Sequence, residues 1–446
     1  MTLLKPLINN NSVDWVEETK PNNYSELGFT SAQPNLQSNR EVQILLSCTR
    51  TTIDSQTAAS LKILLQETID WQYLLKIAKH HKVMPLLYWN LNNTCPEAVP
   101  PDKMALLQNH FNENARRSLF LSVELVKIIN LLESHNIPVI PFKGPVLAVS
   151  AYNNLALRQF SDLDILVQKQ HINQAKALFL SHGYRMKIEC IKPNESQTAK
   201  FIKSPDIYKL VRECAYPFIK KKTGVLAELH WGVMPEFFSF PIEEQGLWSD
   251  LEQIAIAGKT VSNFSPENTL LILCGHGAKD CWAELPRICD IAELIRSHPQ
   301  LNWKIVLERA TIMGSERMLL LGLLLAQNIL EISLPNLVEE RIEADSMVRK
   351  LAEDIKVGLF AENGSTTSIG QLSKFHIIVR ERLWEKIQYC LQTVFTPTTS
   401  DWLLLPLVRF PAWFYYPLRF LRLAINVILR KVKTRSLKQE AASSSI

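Results

Sequence analysis

The stretch Ile137-Pro138-Val139-Ile140-Pro141-Phe142-Lys143-Gly144-Pro145, followed by Arg158-Gln159-Phe160-Ser161-Asp162-Leu163-Asp164-Ile165-Leu166-Val167, decides the fold. Each half holds a short apolar run of β character, bounded by Pro, Gly or acidic residues. Between them Val146 to Tyr152 has the spacing of a short helix. Downstream, a helical pattern covers Ile172 to Ser181, and AYPFIK and VLAELHW flank Lys221-Lys222-Thr223-Gly224 as a hairpin. Residues 136–240 therefore read as an α+β domain with a small mixed sheet.

The flanks have a different period. Leu61, Leu64, Leu65, then Trp71, Leu74, Leu75, Ala78, and a long run from Ala105 to Leu132 recur at helical spacing. Residues 41–135 are expected as an N-terminal helical unit. After Gly246 the helical texture returns, opened by Ser265-Pro266-Glu267 with a cap, a first-turn proline and an early acid. Residues 241–396 are expected as a C-terminal helical domain. Residues 1–40, rich in Asn, Ser, Gln and Pro, read as a disordered leader, and residues 397–446 as a basic aromatic tail.

Side chains alternate faces along a strand, so Asp162 and Asp164 project the same way, as do Glu228 and His230. If the two strands are neighbours, three carboxylates converge. A site of hard oxygen donors suits Mg²⁺ or Mn²⁺ and suits Zn²⁺ poorly. Such ions commonly hold phosphates and assist in-line displacement. The Gly144-Pro145 turn leads into a helix whose free amides favour an anion, with Lys143 and Arg158 nearby as cations. Each residue also has a plainer reading. Lys143 snorkels from an edge strand, Arg158 pairs with Asp162 or Asp164, and His230 is a hydrogen-bonded core histidine. Glu228 resists a plain reading, because a buried carboxylate needs a partner or a metal. Arg287 and Asp290, three apart on a helix, pair with each other or brace the sheet.

Composition limits the partners. The 446 residues are 47% hydrophobic and 21% charged, which excludes fibrous and wholly disordered chains. The net charge of +5 is concentrated at one end: residues 401–446 carry +6, so residues 1–400 carry −1. The body has no field that attracts nucleic acid. The tail between 402 and 435 interleaves aromatics with Arg and Lys, which suits either a terminal helix on the body or peripheral contact with an anionic membrane. Eight cysteines without a C-x-x-C pair read as reduced thiols, and the opening residues lack a signal peptide's apolar run. Both features suggest a cytoplasmic chain.

The order apolar strand, Lys143-Gly144, short helix, Arg158, Asp162-x-Asp164 and Glu228-x-His230-Trp231 resembles the polymerase-beta-type nucleotidyltransferases. More closely, it resembles a bacterial nucleotidyltransferase-like family with a K-G turn, an R-x-x-x-D-x-D strand and a D/E-L-H-W strand. Asp70-Trp71, the run Ala78-Lys79-His80-His81-Lys82-Val83-Met84-Pro85, His276 and Arg287-x-x-Asp290 extend the likeness over roughly Ala58 to Leu330. The resemblance implies Mg²⁺-dependent transfer of a nucleoside monophosphate from a nucleoside triphosphate, ATP foremost, to an acceptor of unknown class. It implies Asp162, Asp164 and Glu228 as catalytic metal ligands, and Lys143, Gly144 and Arg158 as nucleotide contacts. Lys143-Gly144-Pro145 lacks the serine usual at this turn, and Glu228 stands where Asp is commoner. These departures keep a second reading open, a catalytically silent module that binds a nucleotide or a partner through the same cleft. A phosphatase with Asp162 as nucleophile is a remoter reading.

Overall fold

The computed structural model describes residues 39–187, 214–235, 244–360 and 369–396, with scattered positions at 238, 240, 242 and from 416 to 425. The expected leader up to residue 38, and nearly all of the expected 397–446 tail, lie outside the described residues.

Helices α1 (Arg40–Cys48), α2 (Ser55–Leu64), α3 (Trp71–His80), α4 (Met84–Thr94) and α5 (Pro101–Glu133) come first. Local chemistry fixes their starts. Asp70 accepts from the Tyr73 amide at 2.9 Å and caps α3, while Pro101 opens α5. The sheet region follows as β1 (Val139–Phe142), α6 (Gly144–Ser150), β2 (Asp162–Val167), α7 (Ile172–Ser181), β3 (Tyr184–Met186), β4 (Ala215–Lys220) and β5 (Leu226–His230). After α8 (Glu244–Ser249) come β6 (Leu251–Ile256) and β7 (Lys259–Phe264). Helices α9 (Pro266–Lys279), α10 (Pro286–Ser297), α11 (Trp303–Met313), α12 (Glu316–Leu330), α13 (Asn336–Ala344), α14 (Ser346–Leu359), α15 (Ile369–Ile378) and α16 (Leu383–Phe395) complete the described chain. The protein is thus mixed α+β, with a small mixed sheet among helices. No helix among the described residues is long and apolar enough to cross a membrane.

Five strands run in the order β1-β2-β5-β4-β3, with β2 and β5 parallel and all other pairs antiparallel. The pleat sorts the side chains. Leu163, Ile165, Val167, Ala227 and Leu229 face a core shared with Leu125, Ile128 and Ile129 of α5 and Phe179 of α7. On the other face, Ile140, Phe142 and Leu166 join Phe264 and Ile272 in a smaller cluster. The acidic residues of β2 and β5 share that second face, and the helices behind it determine what they meet.

One expectation fails after Gly246. The stretch read as helical contains the β6–β7 hairpin, paired from Leu251↔Phe264 to Ile256↔Lys259. The reason is visible in the residues: Ile256 and Val261 are buried while Gln253, Ala255 and Thr260 are exposed, a period of two. Ala257 and Gly258 turn at φ 46° and 83°, the positive-φ pair that a tight hairpin requires.

Helices from both ends of the chain share one core. Leu45 of α1, Leu87 of α4, Leu271 of α9, Ile291 of α10 and Leu320 of α12 belong to a single buried cluster. Trp282 is completely buried there, in a slot left by two glycines. A Cβ on Gly277 would lie 2.4 Å from the indole, and one on Gly322 2.7 Å. Such overlap makes both positions intolerant of a larger residue.

Candidate active site

Parallel pairing of β2 with β5 sets Asp164 opposite Glu228, Asp162 opposite Leu226 and Leu166 opposite His230. Antiparallel pairing of β1 with β2 sets Phe142 opposite Asp164. Asp164, Glu228 and His230 bring one potential ligand atom each to within 4.8 Å of one another. His230 is a buried, hydrogen-bonded histidine, as the plainer reading has it, and its partners are the carboxylates of the cluster. Its same-face i, i+2 spacing with Glu228 was the available signal.

His230 is buried, and both ring nitrogens meet acceptors. Nε2 lies 3.1 Å from Asp164 Oδ1 and 3.3 Å from Glu228 Oε2, while Nδ1 lies 3.3 Å from the Gly232 carbonyl and 3.8 Å from Cys214 Sγ. Burial pulls its pKa down, but hydrogen bonds to Asp164, Cys214 and Glu228 outweigh it and hold the ring well above its usual value. The shift favours a protonated ring, whose Nε2 lies between two carboxylates. The ring centroid lies 5.0 Å from that of Phe142, with the planes at 74°, an edge-on contact.

Lys143 is the second cation. Its Nζ lies 3.8 Å from Asp164 Oδ2 and 5.1 Å from the Phe142 centroid, so it points at the carboxylate and does not snorkel outward. The backbone enforces this direction at a cost. Lys143 has φ 54° and ψ −138°, a strained conformation for a residue with a Cβ, and Gly144 follows at φ 35°. A Cβ on Gly144 would lie 3.3 Å from the Asp162 carbonyl, so only glycine lets the turn sit against β2 without strain.

Charge is unevenly distributed among the acids. Burial raises Asp164, yet Lys143, the His230 hydrogen bond and its charge, and Arg158 together hold it well below the usual carboxylate range. Asp162 goes the other way. Burial, then the charges of Asp164 and Glu228, push it up to about 6 against the pull of Lys143 and Arg158. Three carboxylates face two cations, which leaves negative charge for a further cation to neutralise.

Arg158 acts on Asp162 and Asp164 through its charge, but its hydrogen bonds go elsewhere. Its Nε and NH2 each donate to a carboxylate oxygen of Asp290 at 2.8 Å, and NH1 reaches the Gly144 carbonyl at 3.4 Å. Tyr152 donates to Asp290 Oδ1 at 2.8 Å. The structure therefore gives Arg158 a partner other than Asp162 or Asp164. Of the two readings of Arg287 and Asp290, mutual pairing fails, since Arg287 bonds Asp280 at 2.7 Å, whereas Asp290 braces the segment before β2. Arg158 and Asp290 lie 132 residues apart, where no spacing rule reaches.

Two carboxylates on adjacent strands, a third one step along the same face and surplus negative charge form a donor set that suits a hard divalent cation. The sequence model of a family described as uncharacterised nucleotidyltransferase matches residues 67–331, well over half of the chain. The chain belongs to that family. The match spans every residue of the cluster and runs from α3 to the end of α12, and the site lies in a nucleotidyltransferase-like domain. No curated protein and no solved structure matches the chain.

Proposed function

We propose that the protein is a divalent-metal-dependent nucleotidyltransferase that moves a nucleoside monophosphate from a nucleoside triphosphate, ATP foremost, to an acceptor. The pairing of Asp164 with Glu228 across parallel strands, beside Asp162 and in a chain of this family, is the observation that carries the reading. Asp162, Asp164 and Glu228 would hold Mg²⁺ or Mn²⁺, which when bound draws phosphate oxygens together and lowers the pKa of an attacking hydroxyl. His230 orients Asp164 and Glu228 through its ring proton. Lys143 offers positive charge to the phosphates at the turn, and Gly144 keeps that turn close to β2. Arg158 acts as a positioning residue that anchors the segment before β2 to α10.

The silent-module reading is favoured by the missing turn serine and by the engagement of Arg158 with Asp290. One experiment separates the two. Full-length protein is incubated with α-labelled triphosphates, Mg²⁺ and cell extract. Transfer of label that disappears in Asp164→Asn supports the enzyme. Triphosphate binding without transfer by the wild type supports the module. A labelled phosphoryl group on Asp162 after incubation with a γ-labelled triphosphate would favour the phosphatase.

A further inference from the structure

Two motifs in the family's helical part, His276 and Arg287-x-x-Asp290, have no role in the chemistry described so far. Each includes a side chain hydrogen-bonded to a segment that carries the acidic cluster. His276 Nε2 of α9 donates to the Val233 carbonyl at 2.9 Å, just after β5, and Asp290 of α10 accepts from Arg158, just before β2. One helical turn from each clamp lies a cation: Lys279 three residues after His276, and Arg287 three before Asp290. These cations meet at one carboxylate. Lys279 Nζ lies 2.6 Å from Asp280 Oδ1, and Arg287 NH2 lies 2.7 Å from Asp280 Oδ2. All three side chains remain 28–30% exposed, so a pair of partly exposed cations, net positive with Asp280, sits on the two helices that are hydrogen-bonded to the segments after β5 and before β2.

The electrostatics agree with this placement. His276 is held well below its usual value by burial first, and then by the charges of Lys143, Lys279, Arg287 and His230. Burial raises Asp280, and Lys279, Arg287 and also Lys143 outweigh it. The charge of Lys143, aimed at Asp164, thus acts on the same two groups as Lys279 and Arg287.

A triphosphate needs cations beyond Lys143, and the turn lacks a serine while Arg158 is engaged with Asp290. We propose that Lys279 and Arg287, which share Asp280 as a counterion that the ligand displaces, bind the β- and γ-phosphates of the nucleoside triphosphate. The inference rests on the nucleotidyl-transfer reading and assigns the leaving pyrophosphate to the helical part of the chain. Arginine offers a fork and lysine a point charge, a combination suited to adjacent phosphates.

The test is calorimetric titration of the full-length chain, in Mg²⁺, with inorganic pyrophosphate, ATP and AMP. Lys279→Gln and Arg287→Gln each weaken pyrophosphate and ATP binding about tenfold and leave AMP binding unchanged. Lys279→Arg stays within about twofold of wild type. Asp280→Asn tightens pyrophosphate binding by removing a competing anion. A purely structural ion pair predicts instead that Asp280→Asn weakens binding as Lys279→Gln does, and that result overturns the assignment. So does a wild-type chain that binds no pyrophosphate, or equal pyrophosphate affinity in wild type, Lys279→Gln and Arg287→Gln. Transfer activity is scored separately. Label transfer by Asp164→Asn at the wild-type rate sinks the nucleotidyl-transfer reading even where the pyrophosphate pattern holds. Lost transfer in that variant, with unchanged pyrophosphate affinity in the two Gln variants, sinks the phosphate assignment alone.

Discussion

The Arg158–Asp290 clamp and the Asp164–Glu228–His230 cluster are both charged, and all their side chains are buried except Glu228, which is 39% exposed and not the buried carboxylate expected from its strand; the two are built on opposite plans. In the clamp, one guanidinium fork meets one carboxylate, and Tyr152 completes it. Donors and acceptors balance. In the cluster, Asp162, Asp164 and Glu228 outnumber Lys143 and His230, and burial together with the charges of Asp164 and Glu228 pushes Asp162 up to about 6. A balanced pair holds elements together, whereas an unbalanced group stores strain that a ligand relieves.

The largest expected effect breaks the balanced partner. Arg158→Met leaves Asp290 buried and uncompensated and lowers stability by about 3–5 kcal/mol in denaturant titrations. A loss below about 1 kcal/mol would show that the clamp does not fasten α10 to the sheet. In the unbalanced partner the sign reverses. Asp162 binds its proton more tightly folded than unfolded, so between pH 4 and about 6 its contribution to stability falls as pH rises, and above that the cost is complete. Asp162→Asn avoids the cost. The variant is more stable than wild type at pH 8, by at most about 3 kcal/mol, and the gain fades toward pH 4. Thermal unfolding at the two pH values checks this, and a wild type that outlasts the variant at pH 8 refutes it. Gly144 joins the two regions, because its carbonyl meets Arg158 while its neighbour Lys143 meets Asp164. Gly144→Ala costs about 1–3 kcal/mol through its positive φ, the smallest of the three changes, measured as a shift in the denaturant midpoint.

The sequence showed the strands of the cluster more readily than its geometry. Short apolar runs placed β1, β2, β4 and β5, and Ser265 marked the start of α9, where it caps the Asn268 amide. Alternation put Asp162 with Asp164, and Glu228 with His230, because the strand period is a local property. Which strands pair is not local, and neither is the partner of Arg158, 132 residues away at Asp290. The β6–β7 hairpin was missed because its alternation is short and sits between two helical signals. His230 read as a hydrogen-bonded core histidine and is one, but its partner Asp164 lies 66 residues away on a neighbouring strand, which local alternation does not show.

Mn²⁺ binding followed by electron paramagnetic resonance tests the central claim most directly. Full-length wild type binds Mn²⁺, Mg²⁺ displaces it, and Asp164→Asn or Glu228→Gln weakens binding at least tenfold while the protein remains folded. Undiminished Mn²⁺ affinity in Glu228→Gln would contradict the account.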